Sequence, residues 1–246
     1  KELYWKNGGT KTGQIKYDDD ALDFLIKKWS LDKKVVLISA VNCFQTIKTL
    51  TPFEKNEIRT GKNKKTFSWN NAYQNIKHDR AKSLKFGSIK YLFDILSALY
   101  ILNIYYSDKL IPLEKDDSQG LNISTNIGSD IFSVIIAPFG GRADGDIYTK
   151  GKSFKKAVYY IDFNDETVKK FNEAMDSLNN KINEIAFKNP KTLEYINRVG
   201  ALNLKPNWMT EALGDNYINV IREAHQFCPI NYNQFRYEAK LNKNEI

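Results

Sequence analysis

A chain of 246 residues with 42% apolar and 27% charged side chains can bury a real core as one large domain or two of ordinary size, which excludes a disordered or fibrous class. The longest apolar-rich stretch, Tyr91 to Tyr106, is broken by Asp94, Ser97 and Asn103, short of the roughly 18 uninterrupted apolar residues of a membrane span. The net charge of +8 is unevenly spread: residues 1–110 hold 20 Lys and Arg against 11 Asp and Glu, and residues 111–246 hold 17 against 18.

In chain order, Asp18, Asp19 and Asp20 followed by Ala-Leu-Asp-Phe-Leu-Ile-Lys-Lys-Trp predict a helix near 19–29, with acids at its positive end and lysines at its negative end. Ser30 or Asp32 caps a second predicted helix from Lys33 to Leu50, on the spacing of Val36, Ala40, Cys43 or Phe44, and Ile47, stopped by Thr51-Pro52. Residues 52–68 have no period and read as an exposed basic loop. Ser68 then caps a helix through Arg80. The strongest pattern follows, through Leu84, Ile89, Leu92 or Phe93, Leu96, Leu99 or Tyr100, and Asn103, and is read as the apolar spine of an antiparallel helical bundle.

The texture changes at Ile111. Pro112 and Glu-Lys-Asp-Asp-Ser-Gln-Gly read as a linker, and Ile131 to Phe139 and Ala157 to Phe163 read as two strands of an antiparallel hairpin around a Gly-rich loop. Asn164 caps a helix from Asp165 to about Phe187, followed by helices near 191–199 and 209–226. The expected fold is therefore mainly α: a basic helical bundle over 1–110, and an α+β region over 111–246 with a hairpin near 131–163 and helices after 165. Cys43 and Cys228 read as free buried thiols, and the N-terminal residues lack the apolar core of a signal peptide, so the expected location is cytoplasmic.

Residues 55–90 concentrate the charge, with ten Lys and Arg against Glu57 and Asp79 alone. Such an imbalance points to a polyanion, and nucleic acid is the commonest one. Lys62, Lys64, Lys65, Lys82 and Lys85 are the candidate phosphate contacts. Among them sits His78, between Lys77 and Arg80: a side chain that exchanges a proton near neutral pH, flanked by two permanent cations, suits chemistry on a phosphodiester or the binding of one. Asn75, three residues before His78, is placed to orient the ring or to solvate its helix face.

Other patterns carry less. Gly140-Gly141-Arg142 lacks the Gly-Lys-Ser or Gly-Lys-Thr of a phosphate loop, His225 and Cys228 have no second pair to complete a tetrahedral metal site, and Asp144, Asp146 and Asp162 are ordinary turn and strand residues. No metal and no cofactor is called for.

The run Ala-Tyr-Gln-Asn-Ile-Lys-His-Asp-Arg at 72–80, followed by the apolar helix ending Leu-Ser-Ala-Leu-Tyr-Ile-Leu, resembles the HEPN (higher eukaryotes and prokaryotes nucleotide-binding) superfamily, more narrowly a bacterial branch that carries Lys-His-Asp-Arg at this point, and Thr51-Pro52-Phe53 fits that branch too. The likeness covers residues 33–107. It implies a helical bundle and, in many members, a metal-independent endoribonuclease of toxin–antitoxin or antiviral defence systems, acting as a homodimer with an antitoxin or defence-system partner. On that pattern His78 is the general acid or base, Lys77 and Arg80 stabilise the phosphorane, and RNA is the substrate because its 2′-OH is the nucleophile. Tyr73 stands where the family carries Arg, and Gln74 keeps only the polarity of its next position. The resemblance equally admits a non-catalytic module that binds nucleic acid, a nucleotide or a partner protein.

Overall fold

The structure, a computed structural model, describes residues 20–38, 48–59, 63–113, 129–137, 142–144, 147–149 and 154–243. Two compact units divide the chain: residues 1–162 with 238–246, and residues 163–237.

The first unit begins with α1 (Leu22–Trp29), which carries Asp23 in its first turn and Lys27 and Lys28 in its last, and ends at Ser30 in the left-handed region (φ 50°). A 3-10 turn, Leu31–Lys33, leads into β1 (Val36–Ile38), where helix had been expected. The run Val35-Val36-Leu37-Ile38 is β-branched and apolar, and a short run of that kind fits a buried strand as well as a helix. Next come β2 (Lys48–Leu50), the short β3 (Glu57–Ile58) and β4 (Lys65–Thr66), then α2 (Ser68–His78), a 3-10 turn at Leu84–Gly87, and α3 (Ile89–Ser107). After β5 (Ile111–Leu113) follow β6 (Phe132–Val134), β7 (Ile136–Ala137), β8 (Arg142–Asp144), β9 (Ile147–Thr149) and β10 (Tyr159–Phe163).

β1 is the centre of an antiparallel sheet, order β2-β1-β6, in which Val36 faces Leu50 and Val134. Phe132, opposite Ile38, meets the rings of Phe93 and Tyr100 on α3 at 5.8 and 5.6 Å, so the sheet covers one side of that helix. Leu31, Val36, Phe53, Ile101, Val134 and Val158 are the largest fully buried apolar residues of this core. Polar ties cross it. The Tyr105 hydroxyl donates to the Asn242 carbonyl at 2.7 Å, the Asn242 amide donates to the carbonyls of Phe154 and Ala157, and the Lys34 ammonium donates to Ala157 at 2.9 Å.

The second unit holds α4 (Asp165–Lys188), α5 (Pro190–Val199), α6 (Trp208–Leu213) and α7 (Asn216–Phe227), and the chain closes on β11 (Tyr237–Leu241). Asn164 caps α4 by accepting from the Thr167 amide at 2.8 Å, as its position before Asp165 predicts. Ala186, Leu213 and Val220 form the core here, with Ile182 and Met209 against them. Cys228 is a half-buried free thiol, and Cys43 lies outside the described residues.

The mainly α expectation, an N-terminal antiparallel bundle, is thus corrected: the fold is mixed α+β, with strands paired from both ends of the sequence. The expected hairpin near 131–163 is corrected with it. β7 pairs with β10 in parallel, Ile136 beside Tyr159, inside a sheet of order β5-β11-β10-β7, while β8 and β9 form a separate hairpin within the presumed loop. Nor does the apolar spine lie in the core as assigned. Leu92, Leu96 and Leu99 are exposed, and the buried face of α3 carries Asp94, Ser97, Ala98, Ile101 and Tyr105. No described helix is long and apolar enough to cross a membrane.

Candidate nucleic-acid interface

The basic stretch read as a loop contains a two-stranded hairpin. β3 and β4 pair antiparallel, Glu57 opposite Thr66 and Ile58 opposite Lys65, and the Arg59 amide donates to the Lys64 carbonyl at 2.9 Å. This hairpin is anchored from below by aromatic packing: Phe67 stacks on Trp69 at 5.3 Å and meets Phe53 edge-on, and the Trp69 indole donates to the Pro52 carbonyl at 2.8 Å.

Held this way, the hairpin, α1 and the start of α2 enclose a small polar pocket lined by Asp23, Lys55, Arg59, Lys64, Lys65 and Asn70. Lys55 is neutralised in part by Asp23, 2.9 Å away, and lies 5.2 Å from the Phe67 ring centre. Among the described residues no carboxylate pairs with Arg59, Lys64 or Lys65. Arg59, Lys64 and Lys65 therefore line a polar hollow whose charge suits a phosphate.

Asn70 begins a stripe on α2. Residues 70, 73, 74 and 77 share one helix face, so Tyr73 and Lys77 continue from the pocket over about 10 Å toward the end of the helix. Tyr73 is 52% exposed, with the Lys77 ammonium 5.7 Å from its ring centre. An open aromatic face beside a cation is the usual platform for an unpaired base.

His78 is the last residue of α2 and is exposed, as are Lys77 and Arg80. Among the described residues no hydrogen bond orients the His78 imidazole. Its neighbour Asp79 ends the helix, donating its amide to the Asn75 carbonyl, and its carboxylate accepts from the Lys82 amide at 3.1 Å with the Lys82 ammonium 3.5 Å away. Asn75 belongs to a polar ladder that braces α2: its amide donates to the Asn71 carbonyl at 2.7 Å and to the Asn71 side-chain oxygen, and the Asn71 amide donates to Glu57 at 3.1 Å. Glu57 in turn lies 3.5 Å from the Lys90 ammonium, and burial together with the Glu57 charge raises the Tyr91 hydroxyl above its ordinary range. Ser68, expected as an N-cap, instead donates its hydroxyl to the buried carboxylate of Asp94 at 2.6 Å, joining α2 to α3.

The structure thus brings Lys64 and Lys65 together in the pocket. Lys82 lies beside Asp79, Lys85 rests over Phe86 at 5.1 Å, and Lys62 falls outside the described residues. Lys55 and Arg59 were counted in the basic stretch but not singled out; the sequence Glu57, Ile58 and Arg59 followed by Gly-Lys-Asn was the available hairpin signal. No family model, curated protein or solved structure matches the chain.

Proposed function

We propose that this protein binds single-stranded RNA in the cytoplasm through the face formed by the β3–β4 hairpin and α2. The observation that carries the reading is the pocket lined by Arg59, Lys64 and Lys65, none of which pairs with a carboxylate among the described residues. A phosphate seats there, and the adjoining base stacks on Tyr73 with Lys77 alongside. Affinity of this kind rests on counterion release and falls steeply with salt.

A second reading, RNA cleavage without a metal, is favoured by the exposure of His78 next to Lys77 and Arg80. Bound RNA itself would then fix the imidazole, which removes the 2′-OH proton or protonates the departing 5′ oxygen. Arg80 and Lys77 would stabilise the phosphorane charge.

Fluorescence anisotropy with a labelled RNA oligomer over a salt series tests binding. The expected result is saturable binding that weakens at least tenfold in Lys64→Glu/Lys65→Glu; wild-type protein that fails to bind at low salt overturns the proposal. The same RNA incubated in EDTA with wild type and His78→Ala tests cleavage. Equal RNA integrity in both removes the catalytic reading and leaves binding intact.

A further inference from the structure

Helix α3 carries apolar residues on every face, and a helix of that kind is stable when its apolar faces are covered. One side faces the β2-β1-β6 sheet through Phe93, Tyr100 and Ile101. The opposite side is open. Ile89 is 72% exposed, Leu92 52%, Leu96 38%, Leu99 51% and Tyr106 91%, and Asn103 is exposed among them.

The spacing of these six residues is regular: 89, 92, 96, 99, 103 and 106 advance by three and four residues alternately, without a break. That is the repeat of a two-helix seam, with Ile89, Leu96 and Asn103 at one set of positions and Leu92, Leu99 and Tyr106 at the other. No charged side chain interrupts it. Asp94, the one acid of the helix, is buried on the far side and bonded to Ser68. Positions beside the seam, Phe93, Ile95, Tyr100 and Leu102, are apolar too.

From this face we infer that α3 pairs with α3 of a second copy of the chain, parallel and in register about a two-fold axis. Two observations favour a second copy over another occupant. The first is Asn103. Its side-chain amide has both a donor and an acceptor, and in a parallel in-register pair it lies opposite its own counterpart, which satisfies both; a single polar residue at such a position holds two strands in one register. The second is area. The five apolar side chains leave on the order of 600 Å² open on each copy, near the about 800 Å² per partner of an ordinary stable interface. Leu84 and Leu110, just beyond the two ends of the helix, are 76% and 58% exposed as well.

Sedimentation equilibrium of the full chain at micromolar concentration tests the pairing. Wild type is expected at twice the 28.4 kDa chain mass, and Leu96→Glu/Leu99→Glu at the single mass with an unchanged circular dichroism spectrum, since both side chains are already exposed. Asn103→Lys changes an exposed residue whose side chain has no partner among the described residues; it sets two ammonium groups face to face, and is expected to weaken the dimer at least tenfold at low salt and less at high salt. A wild-type chain that sediments at the single mass, or variants that dimerise as wild type does, overturns the inference.

Discussion

Lys34 is a cation with no access to water: its residue is 0% exposed, and among the described residues its ammonium has the Ala157 carbonyl as its hydrogen-bond partner, which Asn242 also serves. Burial lowers its pKa to about 8, against a weaker opposing pull from Asp32. Protonation therefore opposes folding. Below about pH 8 both folded and unfolded chains carry the proton and the penalty is constant; between about 8 and the ordinary lysine value only the unfolded chain carries it, so stability rises with pH, by about 3 kcal/mol over the window. Tyr100 acts in the other direction, since burial raises it to about 12, and its contribution is lost as the pH climbs beyond the ordinary tyrosine value of 10. Urea unfolding at pH 7 to 10 should show the rise, and Lys34→Met should abolish it while stabilising the protein by about 1 kcal/mol at pH 7. Ser68→Ala should have the opposite effect, costing about 2 kcal/mol, because the buried Asp94 carboxylate loses the hydroxyl it accepts from. His78, Lys77 and Arg80 were legible as exposed groups from their neighbours in the sequence. The bracing role of Asn75 was not, because the ladder that runs from it through Asn71, one turn back on α2, ends on Glu57, which only the hairpin brings against that helix.

At the level of elements, the segments that read well are those whose ends carry their own chemistry. Asn164 before α4, Asn189 and Pro190 at the start of α5 and the charge gradient of α1 mark helices that the structure contains. Asn164→Ala should lower the stability of the second unit by about 1 kcal/mol, read from its thermal unfolding. The segments that misled are short and apolar. Val35 to Ile38 contains too few residues for its period to be decided, and its strand identity comes from the partners of Val36, Leu50 and Val134, which lie 14 and 98 residues further along the chain. In α3 the element was plain and its orientation was not: with apolar residues on every face, periodicity cannot say which side is inner, and burial of Asp94 and Ser97 is set by Ser68 and the sheet. For the β3–β4 hairpin, reversing two charges at Lys64 and Lys65 should also flatten the dependence of RNA affinity on salt, by a slope of about 2 on logarithmic axes.

For the molecule as a whole, the lesson concerns chain order. Composition placed a boundary at 111, where the basic half ends, whereas compactness follows residues 1–162 joined by 238–246. A strand added from the last residues of the chain, β11, stands between β5 and β10 in the sheet, and no local pattern announces a partner so distant. The segment between β10 and β11 begins and ends at one place. The Phe163 and Tyr237 rings are 5.0 Å apart, and the Asn164 amide donates to the Arg236 carbonyl at 3.2 Å. The segment that carries α4 to α7 thus leaves from one strand and returns to its neighbour, and evolution or an engineer can lengthen, swap or remove it without cutting the sheet. A chain in which a Gly-Asn turn bridges Phe163 to Tyr237 should fold, keep Lys34 and Asn242 joined at Ala157, and reveal which activities belong to the remainder.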